Sequence, residues 1–268
     1  MLSKKNILNV GITDASKEEI LEYIIKGLAQ NGKKYFVVTP NPEILVMADK
    51  NIDYQKVLNK AEIALADGIG VIIVGQVLGK PLKERVTGVD LLESLCLLVA
   101  EKPITVGFLG GKPGVAEKTA ECLLSRYPNL KIGFVGQEWD NAGFVLADER
   151  RKARNNTQKG AERNNSALFS VFDQRGSAMI DILFVAFGAP KQELWMNENL
   201  AKIPVKVAVG VGGSFDYISG EVPRPPKWIS KIGLEWFFRL ITQPWRWKRQ
   251  LTLLEFIYLV LKERFLSK

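Results

Sequence analysis

Apolar runs alternate with helical segments through the first 213 residues, and few folds are compatible with this order. Most of the runs have the length and composition of buried strands, and segments with helical spacing lie between them. Strands joined through helices form parallel sheets with helices on both faces. The sequence therefore predicts an α/β fold with a Rossmann-like, doubly wound, mostly parallel sheet. The predicted strands cover residues 6–12, 34–39, 63–67, 104–111, 130–136, 181–188 and 206–213.

Two later segments break this alternation. Residues 140–177 are rich in Asn, Arg and Lys and show little apolar period, which predicts a long surface insertion, with a functional lid as the alternative. After Pro223, aromatic and basic residues mix along two or three short predicted helices. We therefore predict an α/β core over residues 1–222, with the irregular insertion inside it, and a basic, Trp-rich helical appendage over residues 223–268.

Positive charge is concentrated in this appendage. The chain carries a net charge of +8, and its last 48 residues contain ten Lys or Arg against four Glu, together with four of the six tryptophans. An anionic partner is expected there. The N-terminus lacks the apolar segment of a secretory signal, and the longest apolar window, residues 251–261, is too short to span a bilayer. The expected location is therefore the cytoplasm.

The chain contains no histidine, which excludes the commonest general base and most zinc sites. Its two cysteines, Cys96 and Cys122, lie in apolar helical patterns without metal-ligand spacing, so we expect buried free thiols. No DxD pair is present to clamp a metal-bound nucleotide-sugar. Proton transfer must fall to Asp, Glu, Lys, Tyr or Cys, and we expect neither a metal nor a cofactor.

Asp67 is the leading candidate for a general base. It ends the predicted strand IALAD and is followed by the glycine-flanked turn Gly68-Ile69-Gly70. In an open α/β sheet, ligands bind at the carboxyl ends of the strands, and glycines leave room around the acid. The alternative is that Asp67 only caps a helix.

Another strand exit is stiffened by proline. Thr39-Pro40-Asn41-Pro42 ends the strand KYFVVT, and Pro42 suits the first turn of a helix. Such a corner presents Thr39 and Asn41 rigidly, although a well-made turn explains it equally well.

Further candidates point to a phosphate-bearing ligand. Arg85 precedes a helix cap at Thr87 and can clamp a diphosphate, with a solvated surface arginine as the alternative. Glycine-rich strand exits resemble phosphate-binding turns, and Gln192 lies in the first turn of a helix beside one of them. The glycines singled out are Gly110, Gly111, Gly212 and Gly213.

Five blocks taken together resemble one enzyme family. TPNPEILVMADKN, ALADGIGVIIVGQVLGKPLKERVTGVDLL, GFLGGKPGVAE, FVAFGAPKQELW and VGVGGSFDYISGEVPRPPKWISKIGLEWFFRL are similar to the WecG/TagA/CpsF family of glycosyltransferases, most of all its TagA branch. The resemblance covers residues 6–250, and residues 140–177 depart from it. It implies a metal-independent, inverting transfer of N-acetylmannosamine from UDP to N-acetylglucosamine on diphospho-undecaprenol. The product is a β-1,4-linked disaccharide that begins the wall teichoic acid linkage unit.

The resemblance also implies roles for individual residues. Asp67 matches the catalytic base, and Thr39, Asn41, Arg85 and Gln192 match active-site positions. In the appendage, three arginines match basic residues that meet the lipid diphosphate when the tail closes over the site on an anionic membrane; they are Arg239, Arg246 and Arg249. The expected location becomes the inner face of the cell membrane, to which the protein attaches peripherally.

Two alternatives remain open in the sequence. The same family includes enzymes with other donors, such as UDP-N-acetylmannosaminuronic acid or UDP-glucose, and the motifs do not separate them. A basic peripheral-membrane or nucleic-acid-binding module without catalysis is the other. Nucleic acid is not expected as a partner, because the basic residues interleave with Trp and Leu and match no reading motif. Self-association as a homo-oligomer is left open.

Overall fold

The computed structural model describes residues 2–29, 33–139, 179–226, 228–229, 233–243 and 247–266. Its strands are β1 (Lys4–Ile7), β2 (Val10–Thr13), β3 (Tyr35–Val38), β4 (Ile63–Ala64), β5 (Thr105–Gly110), β6 (Lys131–Gly136), β7 (Ile180–Ala186) and β8 (Val205–Gly210). Its helices are α1 (Lys17–Ala29), α2 (Pro42–Lys50), α3 (Ile52–Lys60), α4 (Ile69–Val77), α5 (Gly88–Val99), α6 (Val115–Arg126), α7 (Lys191–Asn199), α8 (Ser214–Ile218), α9 (Glu235–Thr242) and α10 (Trp247–Leu266). The predicted insertion at 140–177 lies outside the described residues.

Six strands form one sheet in the order β4-β3-β8-β7-β5-β6, and every neighbouring pair is parallel. The predicted α/β class is therefore confirmed, and the six predicted runs from 34–39 onward each overlap one of these strands. Strand β4 is shorter than predicted, because only Ile63 and Ala64 pair in the ladder. Beyond it the backbone stays beside β3, with the Leu65 N–H donating to the Val38 carbonyl at 2.9 Å.

The sheet separates two hydrophobic cores. Along β3, Tyr35 and Val37 pack on one face while Phe36 and Val38 pack on the other, as the two-residue period of a strand requires. Helices α1, α5, α6 and α8 cover the first face. Helices α2, α3, α4, α7 and α10 cover the second, together with β1 and β2.

The predicted strand at 6–12 is wrong. Residues 4–13 form an antiparallel hairpin, β1 with β2, as a separate two-stranded sheet. Leu8 and Asn9 make its turn with φ values of 49° and 63°. Left-handed conformations at both central residues are typical of the two-residue hairpin turn that matches strand twist. Asn is a common residue there, whereas Leu is not, which explains why the turn escaped sequence analysis.

The prediction of only short helices after Pro223 is also wrong. Helix α10 is 20 residues long and packs against the second core, where Phe256, Leu259 and Val260 are buried. Its Glu263 accepts from the Leu8 N–H at 3.0 Å and pairs with Lys80 at 2.8 Å. No helix in the described ranges combines the length and apolar character needed to cross a membrane.

Candidate active site at the carboxyl edge of the sheet

The carboxyl ends of β4, β3 and β8 lie side by side, and candidate residues follow each of them. Asp67 follows β4, Thr39 follows β3, and Gly212 with Gly213 follows β8. The Thr39 hydroxyl donates to the Gly210 carbonyl at 3.1 Å, which ties the ends of β3 and β8 together. The structure therefore brings these predicted residues to one place, called the carboxyl edge below.

Asp67 is held from two directions. Its N–H donates to the Pro40 carbonyl at 3.0 Å, and its Oδ2 accepts from the N–H of Gly88 at 3.3 Å. Gly88 is the first residue of α5, whereas the residue that caps the nearer helix α4 is Gly68, without a side-chain hydrogen bond. Asp67 therefore does not cap α4, the helix that follows it, and its capping contact is with α5 instead. Its carboxylate is directed at the N-terminus of α5.

Burial raises the pKa of Asp67 to about 7, and the negative charges of Glu235 and Asp90 act in the same direction. The Gly88 N–H and the charge of Arg85 oppose this rise in pKa. A carboxyl group with a pKa near neutrality is ionised in part at physiological pH and still holds a transferred proton well. Asp67 thus has the proton affinity that a general base needs in a chain without histidine.

The proline corner, residues 39–42, begins a helix and is bonded to a neighbouring strand. Pro42 begins α2, and the Asn41 Oδ1 accepts from the Ile44 N–H at 3.0 Å as the helix cap. Thr39 is buried, and its hydroxyl is bonded to Gly210. The corner is therefore fixed to both α2 and β8, which keeps it rigid beside Asp67.

Helix α9 from the C-terminal region lies over the carboxyl edge. Glu235 in its first turn has Oε1 3.5 Å from the Arg85 Nη2, and Arg239 in its last turn has Nη2 3.5 Å from the Asp216 Oδ2. The Arg85 side chain is 18% exposed, so the alternative of a solvated surface arginine is wrong. Sequence analysis missed Glu235, because it contacts Arg85 only in the folded structure and lies 150 residues away from it in the sequence.

The guanidinium of Arg239 has few close polar contacts among the described residues. Its guanidinium carbon lies 4.9 Å from the centre of the Tyr217 ring, and its Nε is buried without a hydrogen-bond partner among the described residues. A Cβ added at Gly213 would lie 2.6 Å from the Arg239 Nη2, so only glycine lets the guanidinium approach this turn. Arg246 lies outside the described residues, as does the side chain of Arg249.

The glycine turns are shaped by backbone geometry. Gly110, Gly111 and Gly212 have φ values of 103°, 83° and 51°, a region that favours glycine. The Gly111 N–H donates to the Ala186 carbonyl at 3.1 Å, and the Gly212 N–H donates to the Gln192 Oε1 at 3.0 Å. These two N–H groups therefore have acceptors within the protein, in contrast to the expectation that the strand exits offer them to a phosphate.

Gln192 lies beneath the edge, next to a residue that sequence analysis missed. Its side chain is 1% exposed, and its Nε2 donates to the Oε1 of Glu193 at 2.8 Å. Glu193 is fully buried, and its Oε2 accepts from the Tyr54 hydroxyl at 3.0 Å. Burial raises the pKa of the Glu193 carboxyl. No local pattern could have indicated this pair, because Tyr54 is 139 residues away in sequence.

Potential metal-ligating side chains lie apart in the part of the chain that the structure describes. No three side chains of Asp, Glu, Cys or His are grouped there so that they could hold an ion. Both cysteines are free thiols, and Cys96 is buried as predicted, whereas Cys122 is only partly buried.

Comparison with known proteins relates this chain to a sugar-transfer family. The model of the glycosyl transferase WecG/TagA/CpsF family matches residues 5–268. This agrees with the five blocks, which surround the carboxyl edge, and it favours an enzyme over a binding module without catalysis.

Two curated relatives extend the likeness over the whole chain. A Bacillus spizizenii protein is 33% identical over 261 residues, covering 97% of this chain and 92% of the relative. A Bacillus subtilis protein is 32% identical over 262 residues, covering 98% and 93%. Each is named N-acetylglucosaminyldiphosphoundecaprenol N-acetyl-beta-D-mannosaminyltransferase.

Proposed function

The chain belongs to the WecG/TagA/CpsF family of glycosyl transferases, and from this we propose that it transfers N-acetylmannosamine from UDP to N-acetylglucosamine on diphospho-undecaprenol. The names of both relatives support this sugar and this acceptor. The product is a β-1,4-linked disaccharide, formed early in the synthesis of the wall teichoic acid linkage unit.

Asp67 is the proposed general base. The acceptor hydroxyl oxygen attacks the anomeric carbon of the donor while its proton passes to the Asp67 carboxylate. The bond from the anomeric carbon to the diphosphate breaks, UDP leaves with the electron pair, and a single displacement inverts the configuration. The observation that carries the proposal is the Asp67 carboxyl at the carboxyl edge, with its pKa raised to about 7.

Arginines are proposed to neutralise the diphosphates. Guanidinium groups bind phosphate oxygens in a bidentate fork and stabilise charge that develops on a leaving group. Arg85 and Arg239 are described arginines beside the edge, and each lies 3.5 Å from a carboxylate oxygen. We include Arg246 and Arg249 with them, and we propose that this cluster acts without a metal ion.

The remaining predicted residues are proposed to shape the substrate pocket. Thr39 and Asn41 hold the proline corner beside Asp67. The glycines of the strand exits leave space for a ligand because they carry no side chain; they are Gly110, Gly111, Gly212 and Gly213. Gln192 is proposed to act through the Gly212 turn, because its own side chain is buried and bonded within the protein.

We propose that the C-terminal helices attach the protein peripherally to the inner face of the cell membrane. Along α10, six side chains spaced by four and three residues are exposed: Trp247, Leu251, Leu254, Tyr258, Leu261 and Phe265. Trp236, Phe237 and Ile241 are exposed on α9. Exposed apolar surface rimmed by basic residues is typical of helices that lie on anionic lipid.

The test is transfer from a panel of UDP-sugars to a short-chain lipid analogue of N-acetylglucosamine diphosphate, with and without EDTA. Turnover is expected with UDP-N-acetylmannosamine, undiminished by EDTA, and NMR of the product should show a β linkage. Turnover only with UDP-N-acetylmannosaminuronic acid or UDP-glucose would contradict the proposed donor and keep the family. An α-linked product would contradict the proposed inversion, on the assumption of an α-linked donor.

A further inference from the structure

A buried chain of hydrogen bonds runs from the second core to the carboxyl edge. The Tyr54 hydroxyl on α3 donates to Glu193 on α7 at 3.0 Å, and the Gln192 Nε2 donates to the other oxygen of Glu193 at 2.8 Å. The Gly212 N–H then donates to the Gln192 Oε1 at 3.0 Å. The three side chains are at most 2% exposed, so water does not compete for these bonds.

The chemistry of the partners fixes the Gln192 amide in one orientation. A backbone N–H only donates, so the amide must direct its oxygen to Gly212, which leaves its nitrogen to donate to the Glu193 Oε1. The flipped amide would place a donor against the Gly212 donor. Glu193 therefore holds the Gln192 amide in the orientation that the Gly212 N–H requires.

The turn held in this way is part of the candidate active site. Gln192 packs closely under β8, because a Cβ added at Gly210 would lie 3.1 Å from its Nε2. The Gly210 carbonyl accepts from Thr39, and Gly213 lies against the Arg239 guanidinium. The hydrogen-bond chain thus ends where residues of the proposed mechanism meet.

We propose that Glu193 and Tyr54 are positioning residues, which orient the Gln192 amide and thereby fix the Gly212–Gly213 turn in the geometry that sugar transfer needs. This inference rests on the proposed function. Stability alone is a weak reason to keep a buried polar network, since replacing all of its members by well-packed apolar groups is often neutral or stabilising. Small displacements of an active-site element, by contrast, cost on the order of 100-fold in rate.

The experiment compares Glu193→Leu, Glu193→Gln and Tyr54→Phe in the full chain. For Glu193→Leu we expect a kcat lower by at least about 10-fold, a KM changed less than kcat, and a lower Tm, because the Tyr54 hydroxyl and the Gln192 Nε2 lose their acceptor. Glu193→Gln keeps an oxygen that accepts from Gln192, so it should restore most of the kcat. Tyr54→Phe should give an intermediate loss of kcat, because Glu193 loses only one of its two side-chain donors.

Tyr23→Phe is the matched control, because Tyr23 also donates to a carboxylate, that of Glu62, at a distance from the carboxyl edge. Its kcat should equal that of the wild type. A lower Tm in Glu193→Leu with normal kcat would show a structural role and overturn the proposal.

Deuterium exchange of the peptide that contains Gly212 separates this inference from the proposed function. Faster exchange at this turn in Glu193→Leu and Tyr54→Phe, but not in Tyr23→Phe, is expected whether or not a donor has been found. If the wild type transfers no sugar from any donor, the proposed function fails, and exchange alone decides whether the network holds the turn. Unchanged exchange in both variants overturns the inference even if the wild type is fully active.

Discussion

At the scale of single residues, burial gives the side chain of Asp67 the raised pKa that its proposed role as a general base requires. Asp67 lies under α9, close enough to Glu235 and Asp90 for their charges to oppose its ionisation. The Gly88 N–H at the start of α5 keeps the carboxylate in place at 3.3 Å. We propose that burial and position together let Asp67 act as the base in a chain without histidine.

The first prediction concerns catalysis by Asp67. Asp67→Asn should lower kcat by about 100-fold to 10,000-fold, because an amide accepts no proton, while UDP binding stays within about threefold. The kcat/KM of the wild type should rise with pH to a plateau above about 7, the pKa of Asp67. Measurements are steady-state rates between pH 5 and 9 and UDP titration calorimetry. Turnover like that of the wild type in the variant would remove Asp67 as the base.

The second prediction concerns stability at the same residue. The folded pKa of about 7 exceeds the reference value of 3.8, so the folded state binds the additional proton between these pH values. Stability contributed by protonated Asp67 is therefore present below about pH 4 and lost as the pH rises through 7. At pH 8, the free energy of unfolding of Asp67→Asn should exceed that of the wild type by a few kcal/mol, and its Tm should be higher. Both differences should become smaller toward pH 4. An equal gap at both pH values would contradict a raised pKa.

Sequence analysis could find residues whose role follows from their place on a strand or turn. Asp67 and Thr39 end strands, and a parallel sheet brings such ends together, so their proximity was predictable. The positions of Glu193 and Glu235 were not predictable, because Tyr54 and Arg85, the residues that they contact, are brought near them only by tertiary packing. The burial of Gln192 was equally hidden, since an amide in a first helical turn is usually exposed.

At the scale of elements, α9 joins the C-terminal region to the carboxyl edge by two oppositely directed ion pairs. Glu235 faces Arg85 and, one turn later, Arg239 faces Asp216, each at 3.5 Å. A diphosphate between the two arginines would be attracted by them and repelled by the two carboxylates. Helix α9 thus places both positive and negative side chains where negative charge develops on the proposed leaving group, UDP.

The third prediction tests this arrangement through Glu235→Gln. Glu235 helps to raise the pKa of Asp67, so its neutralisation should lower that pKa and move the acid limb of the kcat/KM profile below pH 7. The readout is the pH–rate profile. Glu255→Gln on α10 is the matched control, because Glu255 pairs with Lys50 at 2.7 Å on the far side of α2. An acid limb that stays at the wild-type pH would show that Glu235 does not act on the base.

The elements differ in how much of each the sequence specified. Buried parallel strands read as continuous apolar runs. At the start of α1, Ser16 and Glu19 have the spacing of a capping box, and both hydrogen bonds of that motif are present. Strand order was not predictable from these runs, since any of them can pair with any other. The hairpin at residues 4–13 was missed because Leu8 carries no turn signal.

At the scale of the whole molecule, α10 belongs to the core and to the surface at once. Phe256, Leu259 and Val260 are buried with α2 and α4, while the opposite stripe of α10 is exposed. The division into a core over 1–222 and an appendage over 223–268 stays a prediction, and these contacts bear on how it is tested. A chain ended before residue 223 would lose three buried apolar side chains, each worth about 1.5–3 kcal/mol.

The last prediction uses this two-sided helix to separate membrane attachment from folding. The triple variant Leu251→Ser, Leu254→Ser and Tyr258→Ser alters only exposed side chains, so its Tm should stay within about 2 °C of the wild type. Its binding to vesicles with anionic lipid should weaken at least about 10-fold, which corresponds to about 1.4 kcal/mol of lost apolar burial. Transfer to an acceptor embedded in vesicles should fall with it, whereas transfer to the short-chain acceptor should persist.

Two further variants serve as controls for the triple variant. Leu97→Ser on α5 removes a side chain that is equally exposed, at 61%, but lies on the other face of the sheet, and it should bind vesicles normally. Phe256→Ala changes the inner side of α10 and should cost about 3–5 kcal/mol of stability. If the triple variant binds vesicles as tightly as the wild type, the exposed stripe of α10 is not the membrane surface. If the triple variant instead loses as much stability as Phe256→Ala, the stripe packs within the protein and the positive charge of the C-terminal region must meet its anionic partner elsewhere.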